Sequence, residues 1–271
     1  MMQNNQRTIM PLQPYLILQT NTYKRMEDLD LGISHYYEFT LEEGNQHSIY
    51  SVPDGSIDLL FNIGTNQVHT YLSGTVFRAK PWEMGEDTTC FGVRFQAGEG
   101  ILPKEISMDM LVDQDLKIEG NLFGDHLAER IALAKNMQER VTIFKDAYQK
   151  LMKKNEDISL KQNIDAYVRN RICERKGNVS IEDLAAETGY SPCYVRRIFK
   201  QFHGISPKQF SQFIRFQNLL QIIKENKNPY EQIALECGYY DEPHMMKDFK
   251  CYTGVTLEHY SSMIEEKKNL I

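Results

Sequence analysis

No stretch of the 271-residue chain reaches the about 18 consecutive apolar residues of a membrane-spanning helix. Its first seven residues, MMQNNQR, also lack the apolar segment of a secretory signal, so cytoplasmic residence with no membrane partner is expected. Cysteine is sparse. Cys90, Cys173, Cys193, Cys237 and Cys251 are odd in number and form no C-x-x-C pair, which points away from a disulfide framework or zinc knuckle and towards reduced, mostly buried thiols. His35, His47 and His69 stand apart, without the close pair that a metal needs to gather three or four converging ligands, and no metal or cofactor is expected. The patterns G-x-x-x-x-G-K-[ST], H-E-x-x-H and G-x-S-x-G are absent too, so phosphate-loop, zinc-protease and esterase chemistries lack their groups and no catalytic residue is named.

An overall excess of positive charge is also missing. The net charge is −6, but it is unevenly spread: residues 158–271 hold 16 Lys and Arg against 14 Asp and Glu, a balance of +2, which leaves −8 on the remainder. Local charge decides whether a surface can meet a polyanion, and +2 predicts weak non-specific attraction. The length suffices for two domains and a connector, each with its own core.

What the chain does have is one unit written twice between residues 180 and 260. Ala185-Ala186-Glu187-Thr188-Gly189-Tyr190 is echoed by Ala234-Leu235-Glu236-Cys237-Gly238-Tyr239, and Phe199-Lys200 by Phe249-Lys250. Each copy reads as a short helix, a glycine turn and a second helix. In the first, Ser180 can cap a helix with Asp183 three residues on, Gly189 closes it, and Ser191-Pro192 opens the next. Val195, Ile198, Phe199 and Phe202 form the inward stripe of that second helix, leaving Cys193, Arg196, Arg197 and Lys200 on the other side or its flanks. In the second copy Asp241 is the cap, Met245, Phe249 and Tyr252 face inward, and Glu242, Met246, Lys247 and Lys250 are outward. Between the copies, Ser206-Pro207 starts a longer helix whose Phe210, Phe213, Ile214, Leu219, Leu220, Ile222 and Ile223 can pack on both. A short cationic helix beyond a tight turn suits a DNA major groove.

On Ile181 to Ala185, Gly189-Tyr190-Ser191, Val195, Arg197, Phe199-Lys200 and Gly204-Ile205-Ser206-Pro207, and again on Ile233-Ala234, Cys237-Gly238-Tyr239, Asp241, His244, Phe249-Lys250, Gly254 and Tyr260, the chain resembles the AraC/XylS family of bacterial transcription regulators. It departs from the usual pattern at Met245, Lys247 and Leu257, where Phe, Arg and Pro are common. The resemblance implies that Cys193, Arg196 and Arg197 on one reading helix and Glu242, Met246 and Lys247 on the other face the groove. By its chemistry Arg197 can hold guanine bidentately, while Lys200 and Lys250 touch phosphate. At Cys193 a base contact or a redox effect stands beside the plain reading of an exposed thiol. Double-stranded DNA is the implied partner, with RNA polymerase, a small-molecule effector and a second copy of the chain as further ones.

The first 118 residues read as β-rich. Apolar and aromatic runs at 34–41, 49–52, 57–63, 68–72, 74–77 and 90–95, separated by turn signals such as Pro53-Asp54-Gly55, suggest a small barrel or sandwich, with a short strand also at 15–19. AraC-like regulators commonly carry a cupin-like sensor here, and residues 52–61 and 92–95 look similar to it. Arg94 alternates with Val93 and Phe95, so it either points inward, where it could hold an anionic ligand, or outward as a solvated charge. Leu59-Leu60-Phe61 reads as core before pocket lining. From 121 to 154, three- and four-residue spacing predicts two helices joined near Gln138, serving either as a dimer interface or as a cover for the barrel. Residues 153–159 read as a polar linker, and 160–175 as a helix with Ile164, Tyr167, Val168 and Ile172 inward.

The expected fold is therefore a two-domain α+β chain. It comprises a cupin-like β-barrel or sandwich (1–118), a helical connector (119–157) and an all-α domain with two helix-turn-helix motifs joined by a linker helix (158–271). A sequence-specific DNA-binding regulator is the favoured function. The alternatives are a β-barrel enzyme fused to the reader, helix pairs that dock on proteins instead of DNA, and a β domain that only dimerises.

Overall fold

The computed structural model describes residues 10–20, 22–40, 49–82, 88–100, 102–119, 121–153, 160–225 and 228–269. It opens with a short helix, α1 (Pro14–Gln19), where the sequence suggested a strand. Proline at its first position costs the helix no hydrogen bond, and a six-residue apolar run does not separate the two conformations by periodicity.

Among the described residues eight strands follow: β1 (Lys24–Glu27), β2 (Ile33–Thr40), β3 (Ile49–Ser51), β4 (Asp58–Ile63), β5 (Val68–Ser73), β6 (Lys80–Trp82), β7 (Thr89–Phe95) and β8 (Asp115–Ile118). Six form an antiparallel sheet in the order β1-β2-β7-β4-β5-β8, and β3 pairs with β6 as a separate ribbon. The sheet is open, with β1 and β8 at its edges. Residues 74–77, expected as a strand, form a loop instead. Its Thr75 accepts from the Gly55 amide through the side chain and from the Asp113 amide through the carbonyl.

Alternation sorts the sheet into two faces. Tyr36, Leu59, Phe61, Phe91, Val93 and Phe95 lie in one core, and Tyr37, Phe39, Leu60 and Cys90 in another with Leu16 of α1 and Ile49 of the ribbon. Two helices, α2 (Leu127–Leu133) and α3 (Met137–Lys153), cover the first face with Leu127, Ile131, Val141, Phe144 and Tyr148. They part at 134–136, slightly before the expected joint. There Asn136 accepts from the Glu139 amide at 3.0 Å while Glu139 accepts from the Lys135 amide at 2.9 Å. The expected linker lies almost wholly in 154–159, outside the described residues.

The α-helices that follow among the described residues are α4 (Leu160–Glu174), α5 (Ile181–Thr188), α6 (Pro192–His203), α7 (Pro207–Glu225), α8 (Tyr230–Glu236), α9 (Glu242–Thr253) and α10 (Leu257–Asn269). One aromatic and aliphatic core joins them, with Phe210, Phe213, Ile214, Phe216, Leu219 and Leu220 of α7 at its centre. Tyr167, expected inward, is 41% exposed. Its hydroxyl donates at 2.9 Å to Glu187 of α5, and Arg171 donates to both oxygens of the same carboxylate. Those bonds hold the Glu187 carboxyl at about 2, below its ordinary value.

The helical part is docked on the β part, largely through polar groups of α7. Gln217 is completely buried. Its amide donates to the carbonyls of Pro53 (2.8 Å) and Leu12 (3.3 Å) and accepts from the Leu12 amide (2.7 Å). Gln221 donates to the Met10 carbonyl, and the Tyr15 hydroxyl to the carbonyl of Thr253, where α9 ends. Gly55, at φ +74°, lies so close under Phe210 that a Cβ would sit 2.7 Å from the ring. On α4, Arg169 donates to the Gly98 carbonyl and pairs with Glu99 at 2.6 Å.

Candidate nucleic-acid interface

Local capping chemistry builds two helix pairs of the same plan. Ser180 accepts from the Asp183 amide at the start of α5, and Gly189, in the left-handed region at φ +73°, closes that helix. Ser191 then accepts from the Tyr194 amide to open α6, as Asp241 accepts from the His244 amide at 2.8 Å to open α9. Each cap satisfies an amide that the helix leaves without a partner, worth about 1 kcal/mol. The inward sides of α6 and α9 are filled by Val195, Ile198 and Phe199, and by Met245, Phe249 and Tyr252.

The remaining faces hold the residues singled out from the sequence. On α6, Cys193, Arg196, Arg197 and Lys200 are all exposed. Arg196 lies 3.5 Å from Glu182, a solvent-facing pair of little strength. The Arg197 guanidinium lies 5.1 Å from the centre of the Tyr194 ring, which stacks on Tyr190. On α9, Lys247 and Lys250 are exposed, whereas Glu242 and Met246 are half-buried and Met246 leans on the helical core. Among the described residues, no carboxylate pairs with Arg197, Lys200, Lys247 or Lys250, so all four cations are available to a partner. Tyr194 was not singled out from the sequence; the signal that could have found it is its position three residues before Arg197 on one helix.

Residues 184–263, from within α5 to within α10, match the model of a helix-turn-helix domain, and residues 22–117 match a domain of unknown function, DUF6597. Over nearly its whole length the chain is 22% identical to the uncharacterized HTH-type transcriptional regulator YbfI of Bacillus subtilis, covering 90% of this chain and 91% of that one. These matches bear out the resemblance to the AraC/XylS regulators.

An uncharacterized HTH-type transcriptional regulator of Haemophilus influenzae is 34% identical over 84 residues, which cover 31% of this chain and 28% of the relative's own length. Among solved structures, ToxT from Vibrio cholerae overlays 90% of this chain and 98% of its own at 14% identity, with a TM-score of 0.39.

In the β part of the chain, Arg94 points inward, opposite Val93 and Phe95. Neither of its two expected settings describes it fully, because its charge is already met. Its Nε donates to Asp58 at 2.9 Å, its Nη2 to the other oxygen of the same carboxylate, and Asp54 lies 3.3 Å from Nη1. Burial works against the charged guanidinium, but Asp58 and Asp54 outweigh it and hold Arg94 above its usual value. Burial also pushes the Asp58 carboxyl up, against the pull of Arg94. The gap beside this cluster, lined by Gln13, Ser56 and Trp82 among others, has a volume of about 20 Å³, room for roughly one water.

A larger cavity of about 300 Å³ opens elsewhere, between β4, β5, β8 and α2. It is lined by Phe61, Val68, His69, Lys117, Phe123 and Leu127, among others, and lies at the lower end of the size of small-molecule sites. Phe61 thus serves both core and cavity. His35 is buried against Ser34, and His47 lies outside the described residues.

Proposed function

We propose that this chain regulates transcription by binding DNA at specific sequences through two helix-turn-helix motifs, with α6 and α9 as the reading helices and α7 as the brace between them. The observation that carries the reading is the pairing of like-capped helices, each bearing cations without carboxylate partners: Arg197 and Lys200 on α6, Lys247 and Lys250 on α9. Cys193, Arg196, Glu242 and Met246 complete the face. Successive major-groove segments on one side of the duplex lie about 34 Å apart, one helical turn.

Residues 1–118 form the sensor, a cupin-like domain in this proposal, 119–157 the connector and 158–271 the reader. The 300 Å³ cavity supports a small-molecule effector better than Arg94 does, since an anion at Arg94 would have to displace Asp58 and Asp54. A second copy of the chain and RNA polymerase are the further partners of this proposal.

The test is selection of duplexes from a randomised library, then affinity measurement. Arg197→Ala costs about 1–3 kcal/mol at one base pair of the selected site, and Lys200→Ala weakens selected and random duplexes alike. Equal losses on both duplexes for the arginine change would refute its assignment to a base.

A further inference from the structure

The sequence presents Arg196 and Arg197 as equals, but their surroundings separate them. Arg196 leans towards Glu182, whereas Arg197 has no carboxylate partner among the described residues and lies over the ring of Tyr194. Tyr194 is itself held from two sides. Its ring stacks on Tyr190 with centroids 4.9 Å apart and planes 25° apart, and its partly buried body packs against the helical core. Its backbone amide is the one that Ser191 caps. A planar guanidinium held over an aromatic face keeps its N–H fork directed sideways while losing much of the rotamer freedom that binding would otherwise remove.

We infer that Tyr194 is a positioning residue for DNA reading: it holds Arg197 ready for a bidentate contact with a base, its own ring steadied by the stack with Tyr190. The second unit lacks the device. By the 50-residue offset, Lys247 stands where Arg197 does and His244 where Tyr194 does. The His244 ring is set edge-on to Tyr239 at 5.4 Å, and its Nε2 lies 3.8 Å from Asp248. A lysine presents a point charge on a flexible stem and makes no planar stack. The half of the site read by α6 is therefore specified more strictly than the half read by α9.

The inference rests on the DNA-reading function proposed above. The experiment selects duplexes from a randomised library with the full chain. It then compares wild type, Tyr194→Phe, Tyr194→Leu, Arg197→Ala and the Tyr194→Leu/Arg197→Ala double variant on the enriched duplex and on a random one. Tyr194→Leu weakens the enriched duplex about two- to fivefold and leaves the random one unchanged. It has no further effect once Arg197 is alanine, and Tyr194→Phe, which keeps the ring, behaves as wild type. Where the leucine variant melts early, Tyr194→Met takes its place, since its flexible apolar chain fills similar space without a ring. Equal loss on both duplexes, or a Tyr194→Leu effect that persists beside Arg197→Ala, overturns the inference. Enrichment of a site that Tyr194→Leu binds as well as wild type also removes the inference but leaves the DNA-reading function standing. A library from which the full chain enriches nothing removes both.

Discussion

Replacing Arg94 by methionine tests the internal charge cluster of the β domain. The side chains of Arg94, Asp54 and Asp58 are 4%, 4% and 10% exposed, so the substitution leaves two carboxylates buried with their cation gone. Gln13, the Ser56 amide and the Tyr37 hydroxyl still donate to them, but none brings positive charge. Breaking such a pair costs about 3–5 kcal/mol, a large share of the roughly 5–15 kcal/mol that holds a domain together. The cost has a pH signature. Without Arg94 the folded-state pKa of Asp58 lies further above its unfolded value, so the penalty is full above the folded pKa and fades as pH falls towards the unfolded one. Loss of Arg94 also makes the neighbouring His35 easier to protonate, which shifts the comparison in the same direction. The single tryptophan, Trp82, sits in β6 against Phe39, so its fluorescence in urea follows the β domain selectively. Arg94→Met is expected to lose several kcal/mol at pH 8 and measurably less at pH 5. A loss under about 1 kcal/mol, unchanged between those pH values, would mean that water reaches the cluster and that the pairing argument is wrong.

Three further outcomes follow from particular contacts. Burial holds the His35 pKa well below 6.5, with Arg25 and Arg94 adding to the effect, so the unfolded chain takes up a proton that the folded one refuses. Stability should therefore fall as pH drops below about 6.5, by up to about 1.4 kcal/mol per unit until the folded pKa is reached, and His35→Gln should flatten the Trp82 urea midpoints over that window. Gly55→Ala places a Cβ against Phe210 at a left-handed backbone position, costing about 1–3 kcal/mol, and faster proteolysis between the β and helical parts would report the loosened dock. Ser191→Ala removes the α6 cap at a cost of about 1 kcal/mol, visible as faster amide exchange in the first turn of α6 with α9 unchanged.

The helical half was legible where local chemistry decides the outcome. Ser180, Ser191 and Asp241 can each cap a helix from their own position, Gly189 can close one, and the apolar spacing of 195–202 leaves one inward face. The β half was legible where strands are buried, as at β2, β4 and β7. It was not legible at β1, β6 and β8, whose sequences KRME, KPW and DLKI are short and mixed and take their extended form from a neighbouring partner. Pairing across long separations was equally hidden. Nothing near Arg94 names Asp58 or Asp54 as its partners, and Gln217 reads as a polar interruption of an apolar run until Leu12 and Pro53 are placed against it. On α6 the sequence supplied the exposed Cys193, Arg196, Arg197 and Lys200, whereas Glu242 and Met246 of α9 are half-buried; the ring beside Arg197 went unnoticed, although Tyr194 stands three residues before it, a spacing that makes helix residues neighbours.

The bond from Tyr15 to Thr253 also sets an order of events at birth. Its partners are 238 residues apart, and at roughly 5–20 residues per second the ribosome needs about 10–50 s to cover that distance. For most of this interval the segment from Met10 to Tyr15 has been made while α7 and α9, the helices that receive it, have not. The sheet can assemble in the meantime, yet the seam between the two halves closes only when synthesis is nearly complete. A ribosome stalled before α9 would therefore carry a nascent chain whose β part is formed and whose leading segment still lacks its final seat.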